Sequence, residues 1–227
     1  SPSADGNAFN EKAAYLTASD GSDATDVIAV AADDDAVAAS YEITVTQLAK
    51  AMKVASTGPD AAAALGASGD FTIGVEGGTS ATIALTSDMT LTGLAAAINA
   101  QSGTTDVNAS LLKVADGDYR LVLSADDTDV DIQVSDTSGA AQAIGLTNSD
   151  GAFANVLQAA QPAVVTIDGL EVTSSGNQLT DTIPGLSISL LQATSGQTIT
   201  LDIEPNYEDV KTAITGFVDA YNALREF

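Results

Sequence analysis

The chain has 227 residues, 45% hydrophobic but only 4% aromatic, with five Phe, five Tyr and no Trp, so its cores must be built from Ala, Val, Ile and Leu. Its 31 Asp and Glu face 7 Lys and Arg, a net charge of −24. That balance excludes a nucleic-acid backbone and repels an anionic membrane, since both need clustered cations, and Lys12, Lys50, Lys53, Lys113, Arg120, Lys211 and Arg225 are scattered. With neither Cys nor His, disulfides, thiolate metal sites and a Ser-His-Asp triad are excluded too. No stretch approaches the roughly 18–20 apolar residues that span a bilayer, and Ser1-Pro2-Ser3-Ala4-Asp5-Gly6 has no basic or apolar leader.

In chain order, the first forty residues mix turn clusters, Ser19 to Asp23 and Asp33-Asp34-Asp35, with a β-branched run from Val27 to Val30 that reads as a strand. In Tyr41-Glu42-Ile43-Thr44-Val45-Thr46 apolar and polar residues alternate, which predicts a strand with one face inward. Alternation is lost from Gln47 to Ala55, and Gly58-Pro59-Asp60 predicts a turn. Phe71-Thr72-Ile73-Gly74-Val75 repeats the aromatic-x-Ile-x-Val spacing of Tyr41 to Val45, and Gly77-Gly78 predicts a hairpin leading to Thr82 to Leu85.

From Leu91 to Asn99 the period becomes helical, with Leu91, Leu94, Ala95 and Ile98 on one face, Thr90 or Asp88 as cap and Ser102-Gly103 as the close. Asn108 to Val114, Tyr119 to Leu123 and Val130 to Val134 then read as an antiparallel meander. After a mixed segment from Ala140 to Ala160, strands are expected at Val164 to Ile167, Leu186 to Leu190 and Thr198 to Ile203. Pro205-Asn206 ends the β region and Asp209 is placed to cap a helix carrying Val210, Ile214, Phe217, Tyr221 and Leu224 at steps of four and three. No other segment offers a comparable face to receive this stripe. It is expected to pack on a helix outside the sequence, with the chain a fragment of a larger extracellular assembly protein; the competing reading packs it on its own domain.

The residues offer little chemistry. Asp127, Asp129 and Asp131 have the first spacings of an EF-hand loop, but Ile132 stands where Gly is needed and Ser138 where the bidentate Glu should be. They read as a solvated acidic face. Paired carboxylates lack aromatic platforms, and Gly74-Val75-Glu76-Gly77-Gly78 is a turn rather than a phosphate loop. We expect no enzyme activity, no catalytic residues, no cofactor and no metal.

Four segments, in order, resemble one family. Ser40-Tyr41-Glu42-Ile43-Thr44-Val45-Thr46-Gln47-Leu48-Ala49-Lys50-Ala51 resembles the SYxIxVxQLAxA segment of bacterial flagellar filament cap proteins. Thr90-Leu91-Thr92-Gly93-Leu94-Ala95-Ala96-Ala97-Ile98-Asn99 is similar to the TLxxLxxxIN motif of flagellar hook and cap proteins. Val165 to Gly169, Ser174 to Asn177 and Asp181 to Leu186 resemble the family's IDG, SSN and DxIxG stretch, with Gly176 interrupting the second. Phe217-Val218-Asp219-Ala220-Tyr221-Asn222-Ala223-Leu224 is similar to its FVxAYNxL helix.

The residues themselves predict an α+β fold, mostly antiparallel β. The resemblance implies two β-rich head domains, one inserted in the other: residues 1–65 and 160–206 as the inner domain, 66–159 as the outer, and 207–227 as the start of a long leg helix. It further implies a structural cap at the filament tip, self-associated into a ring, that helps flagellin fold and insert while its legs shift. Such a protein is exported by the flagellar type III apparatus and in some bacteria meets a host surface ligand. An extracellular adhesin or surface-layer module is the alternative.

Overall fold

The computed structural model describes residues 12–57, 61–194 and 196–225. The turn expected at Gly58-Pro59-Asp60 lies outside the described residues. Strand β1 (Lys12–Ala18) is followed by a 3-10 turn at Ala24–Asp26, capped by the Asp23 carboxylate accepting from the Thr25 N–H, then by β2 (Ile28–Ala32) and β3 (Ala39–Gln47). Next come β4 (Lys53–Ala55), β5 (Gly69–Val75), β6 (Ala81–Leu85), α1 (Leu91–Asn99), α2 (Ser102–Thr105), β7 (Val107–Ala115), β8 (Asp118–Ala125), β9 (Ile132–Asp136), α3 (Ala140–Ala143) and β10 (Asn155–Gln158). The chain then returns through β11 (Ala163–Ile167), β12 (Leu170–Ser174), β13 (Gln178–Thr180), β14 (Leu186–Leu190) and β15 (Ile199–Pro205) into α4 (Tyr207–Arg225).

These elements divide into two compact units, one made of the chain up to Leu48 and from Ala163 onward, the other of Ala49–Pro162. The first boundary thus precedes the expected 65/66, and the second falls at 162/163 rather than 159/160. The reason is strand pairing. β4 pairs with β8 and β10, which holds 53–55 in the second unit, and the Lys50 N–H donates to the Gln161 carbonyl at 2.9 Å.

In the first unit a five-stranded antiparallel sheet has the order β1-β15-β3-β11-β12, and a three-stranded sheet the order β13-β14-β2. β3 is central and alternates as its sequence predicts: Ile43 and Val45 are fully buried while Glu42 and Thr46 face solvent. Register sets Ile43 opposite Ile167 on one side and Ile199 on the other, with Val45 opposite Val165, and all five are buried. Cross-strand β-branched pairs of this kind fill a core that has no Trp. In the three-stranded sheet, Leu179, Ile188 and Leu190 of β13 and β14 and Ile28 of β2 are buried.

Gly185, in the turn before β14, has φ +77°, and a Cβ there would lie 2.6 Å from the Ala36 Cα. The Asp33 N–H donates to the Gly185 carbonyl at 3.0 Å, which draws the two loops together. Both the backbone twist and the close approach require glycine.

In the second unit a four-stranded sheet, β10-β4-β8-β7, and a three-stranded sheet, β6-β5-β9, share a core with α1. Helix α1 has the predicted bounds and cap: the Gly93 N–H donates to Thr90 Oγ1 at 3.1 Å, and Leu91, Leu94, Ala95 and Ile98 are buried. Each fully buried Leu or Ile contributes about 1.5–3 kcal/mol. Phe71 and Ile73 bury the inner face of β5, so the two segments with matching aromatic-x-Ile-x-Val spacing are both central strands.

Several expectations change. Ser102-Gly103 does not close α1; it begins α2, which ends at Asp106 in the left-handed region at φ 54°. The expected meander is only the β7–β8 hairpin, because β9 crosses to pair with β5 in the other sheet. Strands β1, β4, β10, β12 and β13 were not anticipated.

Candidate helix-packing interface

β15 runs through Pro205, and after the single intervening residue Asn206 the backbone turns helical at Tyr207. Proline cannot extend the ladder as a donor, so the change of period at this point is expected. Asp209 lies inside the helix instead of preceding it, and the residue at the cap position is Asn206. At about 1.5 Å per residue α4 is roughly 28 Å long.

Every described side chain from Lys211 to Arg225 is exposed. Of the five residues expected to form a packing face, Ile214 is 50%, Phe217 72%, Tyr221 54% and Leu224 73% exposed, while the side chain of Val210 lies outside the described set. The helical spacing brings Ile214, Phe217, Tyr221 and Leu224 onto one stripe. Sequence reading missed two members. Tyr207, 65% exposed, continues the stripe one step N-terminally, and Val218 widens it; the first was findable by extending the three–four step toward the N-terminus, the second by the four-residue step from Ile214. A helix of this length that buries none of its described side chains draws little stability from propensity alone, and Gly216 in its middle costs about 1 kcal/mol.

Elsewhere, the polar chemistry serves the fold. Asp127, Asp129 and Asp131 are exposed in the loop between β8 and β9, and Asp131 lies just before the strand rather than in it. Among the described residues no cluster of three acidic side chains could hold a metal ion. A groove of about 530 Å³ on the three-stranded sheet of the second unit is lined by hydroxyls, amides and glycines, including Thr72, Gly74, Ser80, Gln133 and Ser135, with Phe153.

The displaced carboxylates all titrate low. Asp20 is lowered first by the Ser22 backbone N–H, Asp23 first by the Thr25 hydroxyl and Asp88 first by the Thr86 hydroxyl. At Asp136 burial is the largest influence and pushes upward, but hydrogen bonds from the Ala141 and Ser138 backbones prevail and hold the carboxyl below its ordinary value. Ionised turn caps, not poised acids, fit this pattern.

Asn99, at the end of α1, shows what the Ile-Asn pair of its motif does. Ile98 is fully buried, while Asn99 Nδ2 donates to the Ala109 carbonyl at 2.8 Å and Asn99 Oδ1 accepts the Ala109 N–H at 2.7 Å. The side-chain amide thus pairs with β7 as a neighbouring strand would.

Comparison with known proteins gives these features a common setting. Residues 70–127 match the family described as Flagellin hook IN motif, and residues 160–227 match Flagellar hook-associated protein 2 C-terminus. The chain is 32% identical over 239 residues to the B-type flagellar hook-associated protein 2 of Pseudomonas aeruginosa, a match covering 97% of this chain and 50% of the relative. The crystal structure of FliD (HAP2) from Pseudomonas aeruginosa superposes with a TM-score of 0.71 at 33% identity, covering 88% of this chain and 94% of that one. The D1-D2-D3 domains of the flagellar cap protein FliD from Escherichia coli give a TM-score of 0.73 at 27% identity, over 96% of this chain and 61% of theirs.

Fold and sequence together define a flagellar component of antiparallel β units followed by a helix. The chain belongs to the flagellar hook-associated protein 2 (FliD) family. It spans about half the length of the curated relatives it matches, and those relatives are named as parts of the flagellum, not as enzymes. No helix among the described residues is long and apolar enough to cross a membrane.

Proposed function

We propose that this chain acts as the head of a structural capping protein at the tip of the bacterial flagellar filament. There it works within a ring-like oligomer that helps flagellin fold and insert. The unit containing Ala49–Pro162 serves as the outer head domain, the unit built from both ends of the chain as the inner one, and α4 as the start of the leg. The protein reaches the outside of the cell through the flagellar type III apparatus, for which a chain without cysteine is suited because no disulfide hinders export unfolded.

The observation that carries this reading is the likeness to a flagellar cap protein over 96% of the chain; it favours the cap over the adhesin alternative. The Tyr207–Leu224 stripe has the three–four spacing of helix pairing, and its described members are at least half exposed, which supports α4 as a packing surface for a second helix. The role as a cap is mechanical: a plate holds monomers at the growing end, and charge of one sign keeps the plate from binding them nonspecifically.

The test is deletion of the gene for the full-length protein, followed by electron microscopy of filament ends and assay of flagellin in the medium. Loss of filaments with flagellin escaping as monomer, both restored by the wild-type gene, is the expected result. Normal filaments in the deletion strain would refute the assignment.

A further inference from the structure

The four-stranded sheet of the second unit turns one face to the core, where Val54, Val107, Leu121 and Leu123 are fully buried. Among the described residues of that unit, the large apolar side chains more than half exposed are Leu112, Val114, Val156 and Leu157, and all belong to β7 and β10, the two edge strands of this one sheet. Exposed apolar residues scattered singly need no explanation; a cluster on one sheet marks a contact surface. Leu112 stands opposite Arg120 in the ladder, Val114 is the extra residue of the bulge that follows, and with Asn155 and Leu157 they line a groove of about 250 Å³. Charge gathers here too. Of this unit's cations, Lys50, Lys53, Lys113 and Arg120, the last three lie on β4, β7 and β8, and β7 itself contains no carboxylate.

β7 also has free main-chain groups. Ala109 gives its N–H and carbonyl to Asn99 and not to β8. Alternation along the ladder therefore turns those of Leu111 and Lys113 to the same outer side, where no described strand pairs with β7.

We propose that this edge and groove bind an extended peptide segment in which apolar and acidic residues alternate, added to the sheet as a strand beside β7. Such a strand supplies the main-chain partners that Leu111 and Lys113 face. Its period of two sends one set of side chains onto the face of Leu112 and Val114 and the other beside Lys113, so apolar residues suit the first set and carboxylates the second. Lys113 Nζ already meets Asp116 at 2.6 Å, but both groups are exposed and an ammonium has three donors, so a second carboxylate can join. A second copy of β7 fits less well. Paired antiparallel about Leu112, the two strands would bring both Lys113 side chains to one face with no carboxylate in either strand to offset them.

The probe is a fluorescently labelled peptide of about ten residues alternating Val and Glu, its binding to the 227-residue chain followed by anisotropy. About 0.3 M NaCl screens the more distant carboxylates. One control peptide carries Pro in place of the central Val residues, the other Gln in place of Glu. The Val/Glu peptide is expected to bind about tenfold more tightly than the proline control and about threefold more tightly than the Gln control. Leu112→Gln, at an exposed position, should weaken it about fivefold. Lys113→Pro, which removes an N–H that points away from β8, should abolish binding while the circular dichroism spectrum stays that of wild type; should that variant unfold, Leu112→Gln decides. Equal binding of the proline control, affinity unchanged by Leu112→Gln, or no binding of the Val/Glu peptide would overturn the proposal. Equal affinities for the Glu and Gln peptides would overturn its acidic part. A dimer in sedimentation that Leu112→Gln dissociates would give the edge to a second copy and refute the proposed occupant.

Discussion

Asp168 and Glu42 are joined by two hydrogen bonds across most of the sequence: the Asp168 N–H donates to the Glu42 carbonyl at 2.9 Å, and the Glu42 N–H donates to Asp168 Oδ1 at 2.8 Å. They extend the β3–β11 ladder one step past Ile43 and Ile167, with a side-chain oxygen replacing a main-chain carbonyl that the turn has carried away. Asp168 has φ 49° and Gly169 φ 80°, the tight-turn geometry that the Asp-Gly pair tolerates best. The pair thereby ties together the two separate stretches of sequence that form the first unit.

Asp168→Ala should therefore lose about 1–2 kcal/mol, from the missing acceptor and the left-handed backbone together. Asp168→Asn, which keeps an acceptor and tolerates the turn, should lose less than about 0.5 kcal/mol. Urea midpoints of the two variants measure this. Equal midpoints for wild type and Asp168→Ala would show the link to be idle.

Two glycines with similar backbone twist separate close approach from turn strain. A Cβ at Gly169 meets nothing within 4 Å, whereas at Gly185 it collides with the backbone of Ala36. Gly169→Ala should cost about 1–2 kcal/mol. Gly185→Ala should cost well over that and leave the first unit largely unfolded. Limited proteolysis with peptide mapping distinguishes them; equal resistance would show that the Ala36 loop yields freely.

Asn99→Ala removes both bonds to Ala109 and leaves a buried strand residue without them. A loss of about 2 kcal/mol is expected in the second unit's denaturation transition. Asn99→Asp retains the acceptor, loses the donor and places a carboxylate against the Ala109 carbonyl, so it should be no more stable than the alanine variant at neutral pH.

Asp136 predicts an acid response. Its carboxylate accepts from the Ser138, Gly139 and Ala141 N–H groups at 2.9, 2.8 and 2.7 Å. Because its folded pKa is depressed, the stability it contributes is fully present above the unfolded carboxylate value of about 3.9 and is lost as pH falls through the folded value. Asp136→Asn should cost about 1 kcal/mol at pH 7, and the gap from wild type should close as pH drops below about 4. A gap independent of pH would contradict the capping role.

How much was legible follows from what each residue's neighbours supply. Leu91, Leu94, Ala95 and Ile98 declare α1 by their own spacing, and Leu186, Ile188 and Leu190 declare β14. β1 reads Lys-Ala-Ala-Tyr-Leu-Thr-Ala and β10 Asn-Val-Leu-Gln; both are edge strands whose pairing partners, β15 and β4, lie far away in sequence. Their conformation is imposed by the ladder, not by local preference. β9 went to the wrong sheet because Ile132 and Val134 alternate equally well beside β8 or β5. The α4 stripe was visible because its apolar period is uninterrupted, and its exposure could be anticipated because no other segment carries a face to receive it, although a sequence does not show what covers it.

Hydrogen exchange of the α4 amides tests the central claim most directly, measured in the 227-residue chain and in the full-length protein that carries it. If the Tyr207–Leu224 stripe is a packing face, α4 amides should exchange within about tenfold of unstructured rates in the shorter chain and be protected at least about a hundredfold more in the longer one. Equal protection in both, undiminished by Phe217→Asp, would mean that α4 needs no partner and would contradict the account.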